Sequence, residues 1–270
     1  MFVGWIRDGF KESIEELSRQ IVCDKHAILE TYAHNKSICF GVYDKDKLCG
    51  FVSAYENKNS FTINNFCYTR ELEQIYKIRL IELLLKNISR KNKPIVSMVS
   101  QSEQDIFIEA GFLEHSLFYQ AINSGEAVAF NFSHATAQNI SSRNHLLTFN
   151  QYEKKAFGED ISSYLQSILH RSSSLSFSTQ SGYIHSYAFG GSYIKISPWI
   201  MNFESYSDAE KLLRGVLFHR GLKQIIAFIP AGIKEIVELY KSYKFELKAS
   251  YWLMYYKEQP KINLEMIYAY

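Results

Sequence analysis

The sequence predicts an α/β protein in which one arrangement of strands and helices occurs twice. Apolar residues make up 47% of the 270 residues, which is enough for a sizeable core in each half. In both halves a group of strands is followed by a helix, a short buried strand, a second helix and a closing strand. We therefore expect two tandem folds, each a mixed, mostly antiparallel central sheet flanked by helices.

Composition and charge exclude several classes of protein. A net charge of +2, with scattered basic residues, gives no reason to expect a nucleic-acid or membrane partner. No apolar run reaches the length of a membrane span and the N-terminus lacks the apolar segment of a signal peptide, so a cytoplasmic protein is expected. The cysteines have no CxxC spacing and are expected to be small buried residues that form neither a disulfide nor a metal site: Cys23, Cys39, Cys49 and Cys67.

The first half is expected to begin with two short helices and to continue with a hairpin. Apolar residues recur at helical spacing in residues 13–21 and 25–33. The segment SICFGVYDKDKLCGFVSAYE is typical of a hairpin that turns between Asp44 and Lys47. The remaining predicted elements are a strand over 60–68, a helix from Leu72 to Ile88, a strand over 93–101, a helix from Ser102 to a stop at Gly111, and a closing strand over 113–122.

A polar zone over residues 123–145 separates the halves, although its centre, residues 127–132, is strand-like. We place the boundary there, which gives an N-terminal domain of residues 1–124 and a C-terminal domain of residues 125–270. The second half is expected to contain, in order, a helix over 157–169, strands that turn at Ser181-Gly182 and Gly190-Gly191, a helix that stops at Gly221, the strand KQIIAFIP, the helix GIKEIVELYKSYKF and the closing strand LKASYWLMYYK.

This order of elements resembles the GNAT superfamily of acetyl-CoA-dependent N-acyltransferases. The hairpin with Cys49-Gly50-Phe51 looks like the one that opens the GNAT sheet, and FIEAGFLEHSLFY, residues 107–119, looks like the Y-x-x-x-G-F helix end and the strand after it. The second half is similar to the second domain of tandem bacterial GNAT proteins, with Phe157-Gly158 kept and Ser197-Pro198 in place of Gly-Pro. The resemblance covers nearly the whole chain and implies two GNAT-like domains.

The resemblance implies a site for acetyl-CoA or another acyl-CoA in the first half. A strand edge would pair with the pantetheine arm and a helix start would hold the pyrophosphate; the residues would be Phe66, Cys67 and Tyr68, then Gln74, Ile75, Tyr76, Lys77, Ile78 and Arg79. Lys77 and Arg79 stand at the glycine positions of the family pattern [QR]-x-x-G-x-[GA]. Either their charges meet the phosphates, or they form the solvated face of a buried helix.

In the second half the same pattern falls on residues 204–209. Glu204 and Asp208 place negative charge where a pyrophosphate would bind, and helix capping by Ser205 or Ser207 explains the segment without a ligand. The first half is therefore the expected cofactor site.

The resemblance also suggests catalytic residues. Many GNAT enzymes carry a tyrosine five residues before the Phe of G-F, where it protonates the leaving thiolate. That position is Phe107 in the first half and Tyr240 in the second. Tyr240 is thus the candidate acid, although an aromatic residue on an amphipathic helix usually belongs to the core. His115 is the candidate base, and the other candidates at strand ends or helix starts are Glu56, Glu103, Asp105 and Glu114.

These features favour an acyl-CoA-dependent N-acyltransferase that acts on a small-molecule or peptide amine, without a metal, as a monomer or a homodimer. One alternative is a GNAT-fold protein that binds a metabolite, an acyl carrier or a protein partner without catalysis. Another is an acyltransferase that receives its acyl group from a carrier protein docked at Arg70, Lys77 and Arg79. The aromatic C-terminus, residues 250–270, is suited either to wall a cleft or to cover a dimer surface. The acceptor and the acyl chain length are not specified by the sequence.

Overall fold

The computed structural model of the chain describes residues 1–125, 138–139, 145–161, 164, 171–190, 192–220 and 222–270. These residues form two compact units. The first consists of Met1–His115 with Trp252–Gln259, and the second of Ser116–Tyr251 with Pro260–Tyr270. The boundary after residue 124 stays a prediction about the two halves of the sequence, and the compact units exchange short segments across it.

The first unit contains strands β1 to β5 in one sheet, in the order β1-β2-β3-β4-β5. Neighbouring strands are antiparallel except for the parallel pair β4 and β5. The predicted elements of this half are present, and β1 is an additional strand that the sequence did not indicate. The strands are β1 Phe2–Trp5, β2 Cys39–Asp44, β3 Lys47–Glu56, β4 Phe61–Tyr68 and β5 Ile95–Ser100; the helices are α1 Phe10–Ser18, α2 Lys25–His34, α3 Gln74–Ile88 and α4 Gln104–Glu109.

Alternation along the strands gives this unit a core on each face of its sheet. On β3, Phe51 belongs to the cluster of α1 and α2, where its ring lies 5.2 Å from that of Phe10. The next residue, Val52, belongs to the opposite cluster, which includes Leu80 and Leu84 of α3. The two helical layers therefore hold β3 and β4 between them.

The connection from β4 to α3 is fixed by close packing. Thr69 donates its backbone N–H to the carbonyl of Cys49 at 2.8 Å, and Leu72 donates to the carbonyl of Thr69 at 3.1 Å. Gly50 leaves room for Leu72, because a Cβ at residue 50 would lie 2.9 Å from Leu72 Cδ2. Leu72 is buried in this turn and the helix starts two residues later than predicted, at Gln74.

The second unit has a sheet in the order β6-β11-β10-β9-β8-β7, with β13 paired to β10. Its parallel pair is β10 and β11, while the other described pairs are antiparallel. Each unit thus has the predicted mixed, mostly antiparallel sheet. The strands are β6 Leu113–Asn123, β7 Gln138–Asn139, β8 Leu175–Thr179, β9 Gly182–Phe189, β10 Tyr193–Met201, β11 Gln224–Pro230, β12 Glu246–Tyr256 and β13 Ile267–Ala269; the helices are α5 His145–Phe157, α6 Tyr206–Arg220 and α7 Lys234–Ser242.

Residues 145–157 form a helix, α5, that the sequence did not indicate. Of the helix predicted over residues 157–169, residues 158–161 are not helical, whereas Tyr164 is helical. Gly158 follows α5 with a φ of 67°, in the left-handed region that favours glycine and ends a helix. Residues 162–163 and 165–170 lie outside the described residues, as do the strand-like segment 127–132 and the predicted turn and stop positions Gly191 and Gly221.

The closing strands differ from the expectation that each half completes its own sheet. β6 pairs with β11 of the second unit, from Asn123 opposite Ile225 to Phe118 opposite Pro230. The end of β12 belongs to the first unit, where Met254 is buried in the cluster of α3 and α4. A local pattern of alternation specifies which side chains of a strand are buried, but it does not specify the neighbouring strand. In the described part of the chain, no helix is long and apolar enough to cross a membrane.

Candidate functional site

Among the residues that the structure describes, the two parallel strands of the first unit, β4 and β5, are hydrogen-bonded to each other only at the start of their length. β4 and β5 pair from Phe61 opposite Ile95 to Ile63 opposite Ser97, and in the described residues the ladder goes no further. Opposite β3, the register shifts so that Ser53 pairs with Asn65 and Ala54 with Ile63, which leaves Asn64 as an extra residue. A bulge of this kind bends its strand, so β4 diverges from β5 at the point where the bulge occurs.

Polar side chains hold the bulge in place. Ser53 Oγ donates to Asn64 Oδ1 at 3.1 Å and accepts from Asn65 Nδ2 at 2.8 Å. Asn64 Nδ2 in turn donates to Thr31 Oγ1 of α2 at 2.7 Å. These buried or half-buried amides and hydroxyls are therefore paired with one another, and the bulge is a built feature of the strand.

Aromatic side chains surround the open edge of β4 beyond the bulge. The ring of Phe66 lies 5.1 Å from Tyr68 and 5.4 Å from Phe107 of α4. Phe107 is fully buried and also contacts Phe112 edge-on at 5.1 Å. The position at which many GNAT enzymes carry a tyrosine is thus part of the apolar core beside β4.

A charged group lies where β4 and β5 end. Ser100 Oγ donates to Glu103 Oε2 at 2.6 Å, and the charge of Glu103 adds to burial in raising the pKa of Tyr68. Lys77 Nζ lies 4.0 Å from the centre of the Tyr68 ring, and burial lowers the pKa of this lysine. Glu103 is thus a candidate base that lies beside the end of β4, whereas Glu56 is paired with Lys91 and Lys93.

The start of α3 adjoins this group. Glu73 precedes the helix and makes no side-chain cap, while its carbonyl accepts from the N–H groups of Tyr76 and Lys77. Gln74 and Ile75 are exposed, so the first turn presents backbone N–H groups toward solvent. Ile78 is buried in the core, and Arg79 is exposed with its guanidinium 5.9 Å from the Tyr76 ring.

The parallel pair of the second unit opens in the same way, but another strand fills the gap. β10 and β11 pair from Tyr193 opposite Gln224 to Ile196 opposite Ala227. Beyond that point β10 pairs with β13, with Trp199 opposite Ala269. The N–H of Tyr270 donates to the carbonyl of Phe228 on β11 at 2.9 Å. The C-terminal strand is therefore inserted between β10 and β11.

The start of α6 in the second unit is acidic, as the sequence indicated. Asp208 accepts hydrogen bonds from Ser181 Oγ at 2.6 Å and from Lys211 Nζ at 2.8 Å. Ser205 Oγ donates to the carbonyl of Phe203 at 3.2 Å. These hydrogen bonds give the polar side chains of residues 205 and 208 partners within the protein. They fit a structural role for residues 204–209 that needs no ligand.

The two candidate catalytic residues belong to different units. His115 of the first unit is half-buried, its ring is edge-on to Tyr255 at 6.4 Å, and burial lowers its pKa. Tyr240 of the second unit is fully buried and donates its hydroxyl to the carbonyl of Tyr268 at 3.1 Å. Burial raises the pKa of Tyr240 well above its usual value. The assignment of catalytic roles to either residue stays a prediction.

The structure adds contacts that the sequence reasoning missed. The bulge at Asn64, the placement of Lys77 over the Tyr68 ring and the insertion of β13 all depend on residues from separate parts of the chain. The two consecutive asparagines in the middle of an apolar strand were the available signal for the bulge. Among the described residues, no group of three or more His, Cys, Asp or Glu side chains is placed to hold a metal ion.

Solved structures that are similar to this chain include GNAT proteins. A candidate acetyltransferase from Pyrococcus horikoshii superposes with a TM-score of 0.79 at 16% identity, over 99% of this chain and 93% of that one. A GCN5-related N-acetyltransferase from Sphaerobacter thermophilus gives a TM-score of 0.66 at 12% identity, with 98% of both chains covered. A tandem GNAT protein from the clavulanic acid biosynthesis pathway gives 0.63 at 8% identity, over 94% of this chain and 97% of that one.

No family model matches the sequence, and no curated protein matches it either. At these identities the likeness concerns the fold. Its coverage extends over both units. The chain therefore has the tandem GNAT fold.

Proposed function

We propose that this chain is an acyl-CoA-dependent N-acyltransferase that binds its acyl-CoA in the first unit and transfers the acyl group to an amine. The supporting observation is the edge of β4 beyond Ile63, which has no strand partner on the β5 side among the described residues, whereas the corresponding gap in the second unit is filled by β13. An unpaired strand edge binds extended ligands through backbone hydrogen bonds. The amide-containing pantetheine arm is such a ligand.

In this proposal the backbone of Phe66, Cys67 and Tyr68 pairs with the pantetheine arm. The backbone N–H groups of Gln74 and Ile75 then face the pyrophosphate, supported by the positive end of the α3 dipole, while the N–H of Tyr76 stays bonded to the Glu73 carbonyl. Arg79 adds a positive charge from the exposed side of the helix, and Lys77 lies at the strand end over Tyr68. Ile78 anchors the helix in the core. Acetyl-CoA is the proposed donor, and a small-molecule or peptide amine is the proposed acceptor.

His115 is the proposed base. Because burial lowers its pKa, its imidazole is neutral at pH 7 and is able to accept a proton from an ammonium or amine group. Glu103 is a further candidate, since its carboxylate accepts from Ser100 at the end of β5 and its charge acts on Tyr68 at the end of β4. The proposed role of Tyr240 as the acid has weaker support, because its hydroxyl is already donated to Tyr268.

A second candidate function is binding of an acyl-CoA or a related metabolite without catalysis. The observation that favours it is Phe107, which places a buried phenyl ring where a proton donor is expected. The two candidates differ in turnover. An acyltransferase releases free CoA thiol from acetyl-CoA in the presence of a suitable primary amine, whereas a binding protein retains acetyl-CoA intact under the same conditions.

Charge reversal on α3 tests the location of the site. Arg79→Glu should weaken acetyl-CoA binding by roughly tenfold, because it places a negative charge beside the pyrophosphate. Lys86→Glu is the matched control, since this exposed residue is on the same helix about two turns further along. Isothermal titration with acetyl-CoA gives both affinities. Equal losses in the two variants would show that binding depends on overall charge and would contradict a site at the start of α3.

A further inference from the structure

A chain of aromatic rings in contact with one another lies beside the open edge of β4. The ring of Phe66 is edge-on to Phe107 at 5.4 Å, Phe107 is edge-on to Phe112 at 5.1 Å, and Phe112 contacts Tyr256 at 5.6 Å. Phe66 is half-buried, whereas Phe107 and Phe112 are each 1% exposed. Phe66 is therefore the outer ring of the chain, and Phe107 is the ring directly behind it.

The two faces of the sheet differ in polarity at this opening. On the face of α3 and α4, Val99 of β5 is buried in the same apolar cluster as Phe107, and Phe66 of β4 packs against that cluster. On the face of α2, the bulge at Asn64 carries a network of hydrogen-bonded amides and hydroxyls. A hydrocarbon chain bound at the opening would gain free energy from contact with the aromatic face and not from contact with the amide network.

The proposed acyl-CoA site determines which end of the ligand would reach these rings. The pyrophosphate is proposed to bind at the start of α3, which follows the C-terminal end of β4. A pantetheine arm paired with the edge would thus extend from Tyr68 back toward the bulge. Each strand residue spans about 3.3 Å, so an arm that pairs with residues 66–68 covers about 10 Å and brings its thioester to Phe66.

We propose that Phe66 and Phe107 limit the length of the acyl group, so that the site takes acetyl-CoA and other short-chain thioesters and excludes long chains. This inference rests on the proposed function and adds its acyl specificity. The two rings are in contact with each other, and Phe107 is packed in the core. A long chain on this face would have to displace them, and forcing additional methylene groups into a close-packed region is unfavourable.

Isothermal titration of the full-length protein with CoA, acetyl-CoA and hexanoyl-CoA tests the limit. The native protein should bind hexanoyl-CoA roughly tenfold more weakly than acetyl-CoA, because the additional methylene groups meet the two rings. Phe107→Ala removes the ring behind Phe66 and gives Phe66 room to turn aside. This variant should therefore raise the affinity for hexanoyl-CoA, relative to that for acetyl-CoA, by roughly tenfold.

Two further variants separate the effect on chain length from a general loss of packing. Phe66→Ala changes a half-buried residue, which makes it the milder substitution, and it should shift the ratio of the two affinities in the same direction as Phe107→Ala. Phe61→Ala is the matched control, since this ring is also 1% exposed but lies at the start of β4. It should leave the ratio unchanged, and thermal unfolding shows whether each variant is folded.

The outcomes distinguish the limit from the site on which it depends. Equal affinities of the native protein for acetyl-CoA and hexanoyl-CoA would overturn the limit and leave the proposed acyl-CoA site standing. A ratio that Phe61→Ala shifts as much as Phe66→Ala and Phe107→Ala would also overturn it. If the native protein binds neither CoA nor either thioester, the proposed function itself is contradicted, and the limit with it.

Discussion

The hydrogen-bond partner of the Tyr240 hydroxyl limits its ability to act as an acid. Its hydroxyl is fully buried and donates to the carbonyl of Tyr268, which belongs to the inserted strand β13. A phenol that supplies a proton to a leaving group must be able to reorient toward it and exchange its proton. In this position the hydroxyl instead secures the backbone of the C-terminal strand.

We expect Tyr240→Phe to lower the free energy of unfolding by about 1 kcal/mol, because it leaves the carbonyl of Tyr268 without its donor. The affinity for acetyl-CoA should not change, since the proposed site is in the first unit. Chemical denaturation and isothermal titration measure the two quantities. A large loss of acyl transfer with unchanged stability would instead support the catalytic role that the sequence suggested for this residue.

Glu153 of α5 is a buried acid whose ionisation is linked to stability. Burial raises its pKa to about 8, although Tyr183 donates a hydrogen bond to its carboxylate at 3.2 Å. The folded-state pKa is therefore above the unfolded value, and the folded protein holds the proton more tightly. Its contribution to stability is fully present below the unfolded pKa of 4.5 and is lost as the pH rises toward 8.

Glu153→Gln should remove this pH dependence, because glutamine keeps the acceptor for Tyr183 without a titrating group. Relative to the variant, the native protein should lose roughly 2–3 kcal/mol of unfolding free energy between pH 5.5 and pH 7.5. Denaturant unfolding at the two pH values measures the difference. Glu82→Gln, at an exposed position, is the control; identical pH profiles for Glu153→Gln and the native protein would contradict the buried ionisation.

At the scale of secondary-structure elements, β13 completes the second unit. Met266, Ile267, Tyr268 and Ala269 are buried, and the strand bridges β10 and β11 through backbone hydrogen bonds. A strand that fills a gap between two others protects their edges and contributes its own apolar side chains to the core. By filling the gap between β10 and β11, β13 therefore stabilises the second unit.

Ile267→Ala should destabilise the protein by about 3 kcal/mol, because it removes fully buried methyl and methylene groups. Ile108→Ala, at a position that is 47% exposed on α4, should change the unfolding free energy by less than about 0.5 kcal/mol. Thermal or denaturant unfolding compares the two. A loss at Ile267 no greater than that at Ile108 would show that β13 is not packed as described.

Elements that are specified by residues within one segment of the sequence were predictable, and contacts between distant segments were not. The strand, turn and helix from Phe61 to Ile88 were predictable because apolar periodicity specifies them within one segment. The pairing of β6 with β11 and the insertion of β13 were not, since both depend on a choice of partner made by distant residues.

The candidate site was predictable in part. The proposed cofactor edge at residues 66–68 was predicted from the strand–helix order and from the resemblance in fold, and its role stays a prediction. The sequence did not predict that Lys77 lies over the Tyr68 ring near Glu103, since this contact joins two elements. Whether Lys77 and Arg79 bind phosphate in place of the missing glycines also stays a prediction.

At the scale of the whole molecule, the two units share one architecture and differ at its central opening. In each unit a parallel pair of strands begins together and then separates. In the first unit the edge of β4 is left without a strand partner among the described residues, and in the second the chain's own C-terminal strand occupies the equivalent place. This difference is the central reason for assigning a single acyl-CoA site to the first unit.

The stoichiometry of acetyl-CoA binding tests this assignment most directly. Isothermal titration of the full-length protein with acetyl-CoA, and with desulfo-CoA to separate binding from turnover, gives the number of sites per chain. We predict one site per chain for both ligands, with an affinity that Arg79→Glu lowers by roughly tenfold and Lys86→Glu leaves unchanged. The absence of binding at millimolar ligand in a folded sample, or the presence of two sites per chain, would contradict a single open acyl-CoA site in the first unit.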